Sequence, residues 1–523
     1  MFLTPAKFQE FLSKTNHIDE IYNALHDDDL GNVVISALEV LNKTHQLPFL
    51  LKPRKDTRTS TEMRKKGNIA FKRGRLDVAC LCYNEALLLA PKDSKELILA
   101  ISNRSAVFQE LKSYKACIKD IDFCFSMDCP SDIVDKLKKR RKEVEHLAAD
   151  QVQSTCFITG VSKRHTKHAF NNPDISCASS EIKATSSDIP TIVASNDVKI
   201  GSVLTTEAAY VSYTEKEYSL NSCHYCQKKS LNLIPCEDCV WALFCDEECK
   251  NKCFKEYHKY ECQILHVIRE ICHGPLPHLM IKAALKLKQN CKTWRELIQA
   301  SFNMGLDRMR SSSVKDVFDV ESLFSILCQK DDKPFFYGVK YDASFVCAAI
   351  LNYLNEIPSF FPKDIDEKKQ ANQAFGRIMM FLSINIVANQ IYQPECTSTS
   401  EYKYRDKPNH GLHWLSSNEN RHVRNVTNFL LHGKVCSCNI CTGESPPIQK
   451  LSKSQEKMFN GLNLERIDKD IDFHNISAIY ERILEALEHL KNVPQSKEYM
   501  EVFKRFSKCK FVFEYFLNPF HVK

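Results

Sequence analysis

Cysteine and histidine residues that could bind a metal are concentrated in one short stretch, residues 223–262. In chain order they form the pairs C-x2-C, C-x2-C, C-x3-C and H-x3-C, with the candidate ligands Cys223, Cys226, Cys236, Cys239, Cys245, Cys249, His258 and Cys262. Zinc prefers four thiolate or imidazole ligands in a tetrahedron, and two ligands separated by two or three residues can grip one ion from a tight turn. Eight ligands in four pairs therefore predict two zinc ions.

The same stretch has few apolar residues with which to build a core. The main ones are Leu231, Leu233, Ile234, Trp241, Leu243 and Phe244. Because so short a segment buries little apolar surface, we expect metal binding to supply most of its folding free energy. The alternative, scattered cysteines that bind no metal, requires eight ligands to fall into register by chance.

This spacing resembles the MYND finger, and residues 257–262 (YHKYEC) are similar to the same part of SET-and-MYND (SMYD) proteins. In that family the ligand pairs interleave. The resemblance therefore implies one zinc held by the first and third pairs and another by the second and fourth, with Cys253 left as a free thiol. MYND fingers mostly bind proline-rich peptides. Direct nucleic-acid binding is not expected, because residues 245–258 mix acidic and basic side chains and lack a basic recognition helix.

Composition places the chain among ordinary proteins of a reducing compartment. With 523 residues it should hold three or four domains, and 43% hydrophobic and 26% charged residues are typical of a soluble protein. The chain has 24 cysteines in all, and most of those outside the clusters occur singly in helical patterns, which argues against a disulfide framework. No signal peptide or membrane-spanning run is evident, and the net charge of +7 is too weak to indicate nucleic acid. We expect cytoplasmic and/or nuclear residence.

One dense basic run has two interpretations. It could be a nuclear-localisation patch or the solvated face of a helix, since apolar Val134, Leu137 and Val144 flank it at helical spacing. The basic residues of this run are Lys136, Lys138, Lys139, Arg140, Arg141 and Lys142.

Residues 62–150 carry a helical repeat. Small and large residues recur at an offset of 38, namely Gly67, Leu76, Ala79 and Ala86 and then Ser105, Tyr114, Cys117 and Cys124. Small residues at the first and third positions let two antiparallel helices approach closely. The pattern resembles a pair of tetratricopeptide (TPR) repeats, whose usual period is 34. TPR repeats bind peptides in a concave groove, but simple internal packing would give the same pattern.

The predicted fold class is mixed and mostly α-helical, with a split SET β-fold that contains the inserted finger. The predicted parts are a helical segment and linker (1–61), TPR-like repeats (62–150), a connector (151–190), the first SET part (191–214), the MYND finger (223–262), a helical insert (263–340), a shortened second SET part (341–433), a post-SET cysteine cluster (434–445) and a helical C-terminal domain (446–523). In the first SET part, residues 191–194 and 202–206 are predicted to pair as strands.

The third cysteine cluster, Cys436, Cys438 and Cys441, has the C-x-C-x2-C spacing of a post-SET motif. The resemblance implies a third zinc there, beside the lysine channel. Its fourth ligand would be Cys396, with His410 and His432 as weaker candidates.

SMYD enzymes transfer a methyl group from S-adenosylmethionine to a lysine, and this chain departs from their motifs at four points. Ile189-Pro190 replaces a Gly-Arg turn, and Val387 falls where an asparagine contacts the cofactor, with Asn385 and Asn389 as nearby candidates. The N-H-S-C-x-P-N stretch is absent. His410 stands where the catalytic tyrosine belongs, and a neutral imidazole differs from a phenol in shape and reach.

Two functions follow from the resemblance. The first is a protein-lysine methyltransferase acting on histone or other lysines with S-adenosylmethionine. The second, which the lost motifs favour because methyl transfer depends on sub-ångström alignment, is a weakly active or inactive zinc-binding platform for proteins. A splicing or gene-model error between Ile391 and His410 would also explain the shortened SET part.

Overall fold

The computed structural model describes residues 29–150, 216–271, 276–302, 335–390, 450–464 and 476–490. It also describes the short pieces 179–184, 192–196 and 210–214, and single positions at 21–27, 172 and 492–505. The post-SET cysteine cluster and residues 391–433 of the predicted second SET part lie outside the described residues.

Helices dominate the described part of the chain. Their bounds are α1 Leu30–Lys43, α2 Thr57–Lys72, α3 Leu76–Leu89, α4 Lys95–Glu110, α5 Tyr114–Phe125, α6 Ser131–Asp150, α7 Glu247–Cys253, α8 Lys259–Ile271, α9 Leu276–Asn290, α10 Trp294–Phe302, α11 Phe335–Asn355, α12 Ile365–Gln390, α13 Lys453–Gly461 and α14 Ile476–Leu490. None of them is both long and apolar enough to cross a membrane.

The four helices α2 to α5 form two antiparallel pairs, called the helical repeats below. Asp56 caps α2 by accepting a hydrogen bond from the Thr59 amide, and Ser94 caps α4 through the Leu97 amide. Gly67 allows the first pair to approach closely, because a Cβ atom there would lie 2.5 Å from a Tyr83 ring carbon. The sequence repeat predicted a small residue at this position, and Gly67 allows the close contact between the two helices.

Helix α6 packs behind the repeats and contains the basic run. Ile133, Leu137 and Val144 are buried against the repeat core, whereas the lysines of the run are exposed. Arg140 turns inward and donates hydrogen bonds from Nη1 to the Ser102 carbonyl and the Ser105 hydroxyl. The run is thus mainly the solvated face of a packed helix.

A larger core joins α1 to α8–α12 and to the finger. The Asp29 side chain caps α1 through the Gly31 amide and also accepts hydrogen bonds from the Arg377 guanidinium of α12, at 2.6 Å. Gly31 permits α1 and α12 to approach closely at this point, because a Cβ atom on Gly31 would lie 2.6 Å from the Gln373 carbonyl oxygen. The predicted N-terminal segment and linker therefore includes a helix that is part of the central core.

Strands are few in the described residues. They make two two-stranded antiparallel sheets, β1 Ile182–Ala184 with β2 Ile192–Ala194, and β3 Ile234–Pro235 with β4 Leu243–Phe244. Strand β2 pairs with β1, which falls in the predicted connector. The strand predicted at residues 202–206 lies outside the described residues.

The C-terminal helices α13 and α14 share a small core of their own. Ile479, Ile483, Leu487 and Leu490 of α14 are buried there, as their spacing of three and four residues predicts. Ser452 and Gln455 form a reciprocal capping box at the start of α13.

Candidate metal centre

Short turns and one sheet position the candidate ligands of the finger, residues 223–262. Cys236 follows β3, and its amide donates a hydrogen bond to the Ala242 carbonyl at 2.9 Å, which closes the turn between β3 and β4. The Gln227 amide donates to the Cys223 carbonyl at 3.0 Å, and Gln227 takes a left-handed φ of 63° to complete that turn. After β4, the Asp246 side chain caps α7 by accepting from the Cys249 amide at 2.7 Å. Each cysteine pair is thus held by local backbone geometry.

The eight candidate ligands come together in two groups of four. Within each group the ligand atoms lie within 4.8 Å of one another. The first set consists of Cys223, Cys226, Cys245 and Cys249, and the second set of Cys236, Cys239, His258 and Cys262. These are the same interleaved groups that the family resemblance implies.

The distances within each set fit a tetrahedral ion. With Zn–S bonds of about 2.3 Å, two sulfurs of a tetrahedral site lie about 3.8 Å apart. The Cys226 and Cys245 sulfurs are separated by 3.8 Å, and the Cys236 and Cys262 sulfurs by 3.9 Å. In the second set, the Cys239 sulfur lies 3.7 Å from His258 Nε2. Both donor sets therefore suit zinc in chemistry and in size.

The two sets differ in exposure. All four ligands of the second set are buried, whereas only Cys223 of the first set is. His258 ends a π-helical turn, Phe254–His258, which lies between α7 and α8. Such a turn adds a residue to the helical path and re-aims the side chains that follow it, a feature common at functional positions.

A carboxylate that the sequence analysis did not single out supports the second set. Glu261 is fully buried, and its Oε2 lies 2.7 Å from His258 Nδ1 and 2.9 Å from His224 Nε2. Burial opposes the charged carboxylate, but His224 and Lys282 outweigh it and hold the pKa of Glu261 well below its ordinary value. The signal available in the sequence was the spacing H-x2-E, which places both side chains on one face of a helix.

Cys253 lies next to the second set without belonging to it. It forms a further group with His224 and His258, of three candidate ligands only, and it shares His258 with the second set. Burial raises the pKa of the Cys253 thiol to about 12, so this thiol keeps its proton at neutral pH.

The finger contacts the helical repeats through buried polar groups. Arg104 of α4 and Asp120 of α5 are both about 2% exposed and form a bidentate ion pair at 2.8 Å. Arg104 also donates to the Leu233 carbonyl of the finger, and Asn84 donates to the Leu220 carbonyl. From the finger side, Asn232 donates to Asp120 Oδ1. Sequence reasoning missed this junction, because the partners lie 112 to 136 residues apart.

Apolar and surface contacts extend the same junction. Leu88 of α3 is buried against Leu233 and Leu243 of the finger. At the surface, the Glu237 carboxylate pairs with Lys92 of the repeats at 2.6 Å and with Lys250 at 3.0 Å.

The remaining predicted site residues cannot be placed relative to this centre, because their side chains lie outside the part of the chain that the structure describes. Asn385 and Asn389 lie on the last turns of α12, and their side chains are outside the described part. The structure likewise does not describe the catalytic candidate His410, the post-SET cysteines Cys436, Cys438 and Cys441, or the proposed fourth ligands Cys396 and His432. Their roles stay predictions.

Comparisons with known proteins point to one family. The protein-lysine N-methyltransferase SMYD4 of Danio rerio is 27% identical over 288 residues, which cover 52% of this chain and 38% of that protein. SMYD4 of Homo sapiens is 23% identical over 287 residues, or 42% of this chain and 36% of that protein. A SET and MYND domain-containing protein of Dictyostelium discoideum is 28% identical over 87 residues, covering 16% of this chain and 22% of that protein.

The matched region is limited in extent. The chain spans under two fifths of the length of the curated SMYD4 relatives that it matches. No family model and no solved structure matches the chain. The similarity to several SMYD4 proteins and to a further SET and MYND protein indicates the SMYD family.

Proposed function

We propose that this chain is a zinc-held protein-interaction platform of the SMYD type, with little or no methyl transfer. One observation carries the proposal: the two ligand sets lie in a finger that is docked by buried contacts onto the helical repeats. A metal-held module fixed to a helical array presents a rigid composite surface. Such a surface suits the capture of protein segments.

Zinc is the metal that these donors favour. The first set offers four thiolates and the second offers three thiolates and an imidazole, which are the usual ligands of closed structural zinc sites. A bound ion would hold the loops of the finger together and take the place of an extensive core. A third zinc at Cys436, Cys438 and Cys441 is proposed from sequence alone.

Two peptide classes are proposed as partners. Proline-rich peptides pack against aromatic side chains, and the finger with the turn before it carries the partly exposed rings of Tyr218, Tyr225 and Trp241. Peptides could also bind a TPR-type groove of the helical repeats. Because the finger and the turn before it cover the surface around Asn84 and Arg104, this second class is proposed for the faces that they leave open.

Loss of methyl transfer is proposed from the sequence. His410 at the tyrosine position, Val387 at the asparagine position and the missing N-H-S-C-x-P-N stretch remove three groups that align the cofactor and the lysine. A misplacement of about 1 Å can reduce such a rate on the order of a hundredfold. We therefore expect S-adenosylmethionine to bind weakly or not at all.

The alternative function is an active protein-lysine methyltransferase. The names of the SMYD4 relatives favour it, since each is called a protein-lysine N-methyltransferase. In that case Asn385 or Asn389 would contact the cofactor and His410 would orient the substrate lysine.

Cofactor binding separates the two functions. Purified protein is titrated with S-adenosylmethionine by calorimetry and incubated with a labelled methyl donor and a lysine-containing protein mixture. The platform function predicts no heat of binding and no labelled protein. Binding at micromolar affinity, or transfer of label to a lysine, supports the methyltransferase instead. Sequencing transcripts across the codons for Ile391 to His410 shows whether the shortened region is authentic.

Substitution of ligands in the second set tests whether the finger contributes to peptide binding. Cys236→Ser or His258→Ala should release zinc from the second set and abolish the capture of a proline-rich peptide library. Retention of the same peptides after zinc is lost would show that the finger is not the contact.

A further inference from the structure

We propose that Glu261 is a positioning residue for the second set, whose carboxylate fixes His258 with Nε2 free to bind the metal. The inference rests on the proposed zinc binding and deepens it. It concerns the groups around the ligands rather than the ligands themselves.

The geometry of His258 carries the first step. His258 Nδ1 lies 2.7 Å from Glu261 Oε2, while Nε2 points to the Cys239 sulfur, 3.7 Å away. A carboxylate accepts hydrogen bonds and cannot donate one when ionised, so Nδ1 must carry the proton. Nε2 is then left with its lone pair directed at the three cysteines, which is the tautomer a metal ligand needs.

Burial gives the contact its strength. His258 and Glu261 are both fully buried, so water does not compete for the hydrogen bond. In a site of low dielectric constant a charge-assisted hydrogen bond of this kind is short and strong. The chain position adds to this: Glu261 is three residues after His258 and one before the ligand Cys262. One turn of chain therefore supplies two ligands and the group that orients one of them.

A buried carboxylate also needs compensation, and α9 provides it. The Nζ atom of fully buried Lys282 lies 3.9 Å from Glu261 Oε1, and it donates a hydrogen bond to the Ser212 carbonyl at 2.8 Å. His224, which lies between the ligands Cys223 and Cys226 of the first set, contacts Glu261 Oε2 from the other side. The carboxylate is thus linked to the helical core and to the neighbouring ligand set.

The first set gives an internal control. Its four ligands are thiolates, which need no tautomer to be fixed, and no imidazole is among them. A change at Glu261 should therefore act on one metal site and leave the other nearly unaltered.

The test uses the full chain with Glu261→Gln, which keeps the size of the side chain and removes its charge. Zinc release to a chromophoric chelator is measured, and cobalt(II) substitution assigns each step, because a site of four thiolates and a site of three thiolates with one imidazole have different absorption bands. We expect the second set to bind zinc about 10- to 100-fold more weakly, the usual effect of losing such a partner. The first set should change by less than about twofold.

The matched control is Glu256→Gln. Glu256 lies on the π-helical turn that ends at His258, and it accepts from the Tyr225 hydroxyl at 2.7 Å and from Lys286 at 2.8 Å, but neither partner is a candidate zinc ligand. This variant should release zinc from both sets as the unaltered protein does. Equal weakening of both sets by Glu261→Gln, or no weakening, would overturn the proposal. Wild-type protein that binds no zinc would instead overturn the proposed function.

A measurement on the unaltered protein covers the case in which the variant fails to fold. In zinc-bound protein labelled with 15N-histidine, His258 should show a protonated Nδ1 and a metal-bound, unprotonated Nε2. The opposite tautomer would refute the proposal without any variant.

Discussion

The finger and the helical repeats lie against each other, yet their buried residues differ in kind. In the repeats the buried set is mostly apolar, with Leu87, Ile101 and Phe108 at its centre. In the finger, candidate metal ligands take up much of the buried space, since Cys223, Cys236, Cys239, His258 and Cys262 are all buried. Apolar packing stabilises the first region, whereas for the second we propose that a bound ion holds the buried ligands together.

The two regions also compensate their buried charges with different groups. The repeats bury one ion pair, Arg104 with Asp120, which also bonds to the finger backbone. The finger buries Glu261 between two histidines and a lysine. In both regions the charge is tolerated because its neighbours supply an opposite charge or a hydrogen bond. Changes to the metal, to the buried charges, to the helix contact and to the surface should therefore affect the two regions unequally, in that order of size.

Removing zinc should separate the two regions. A strong chelator at neutral pH should unfold the finger, because structural zinc sites contribute about 10–16 kcal/mol of apparent binding free energy. Helices α2 to α5 should keep most of their structure, since no ligand of either set lies on them. Hydrogen exchange measured with and without chelator checks this: residues 223–262 should lose protection and 57–125 should largely retain it. Equal loss in both regions would contradict the comparison.

Breaking the buried ion pair should have the next largest effect. Asp120→Ala leaves Arg104 buried without a counter-charge, which typically costs about 3–5 kcal/mol of unfolding free energy. Urea denaturation measures the loss, and the zinc content should not change because Asp120 is not a ligand.

The control for that change is a second ion pair from α5 to α6. Asp122 pairs with Arg141, but the Asp122 side chain is 54% exposed. Asp122→Ala should therefore cost less than about 1 kcal/mol. If Asp120→Ala and Asp122→Ala lower the free energy of unfolding equally, burial does not determine how much each ion pair contributes.

Filling the close contact between α2 and α3 should have a smaller effect. Gly67→Ala places a methyl group 2.5 Å from the Tyr83 ring, and overpacking of this kind costs about 1–3 kcal/mol. Thermal unfolding of the repeats reports the change. Gly461→Ala serves as the control, since no atom lies within 4 Å of its added Cβ; it should not lower the melting temperature.

The surface contact between the two regions should contribute least. Glu237→Gln removes the ion pairs with Lys92 and Lys250, which contribute little to stability because water and salt screen exposed charges. The difference from wild type should shrink in about 1 M salt, where the Debye length is about 3 Å. A difference that persists in high salt would mean that Glu237 acts other than by charge.

Much of the fold could be predicted because its signals are local. Ligand pairs two or three residues apart are readable directly, and so are the small residues Gly67 and Ala79 that let repeat helices approach. The apolar spacing of α14 likewise predicted its buried face. Each of these signals lies within one or two turns of chain.

Other features could not be predicted from local pattern. The helix α1 joins the core through Asp29 and Arg377, which are 348 residues apart. Strand β2 pairs with β1 in a segment predicted to be a connector. Arg104 and Glu261 were overlooked because an isolated charged residue in a helix is usually solvated, and only neighbours from distant segments show otherwise.

The sequence alone determined that this chain has two sets of candidate metal ligands and a repeat of paired helices, because both depend on residue types at short, fixed spacings. The tertiary structure decided which charges are buried, how the finger is seated on α3, α4 and α5, and which carboxylate meets His258. These outcomes depend on contacts between segments far apart in the chain, and their energies are set by burial rather than by spacing.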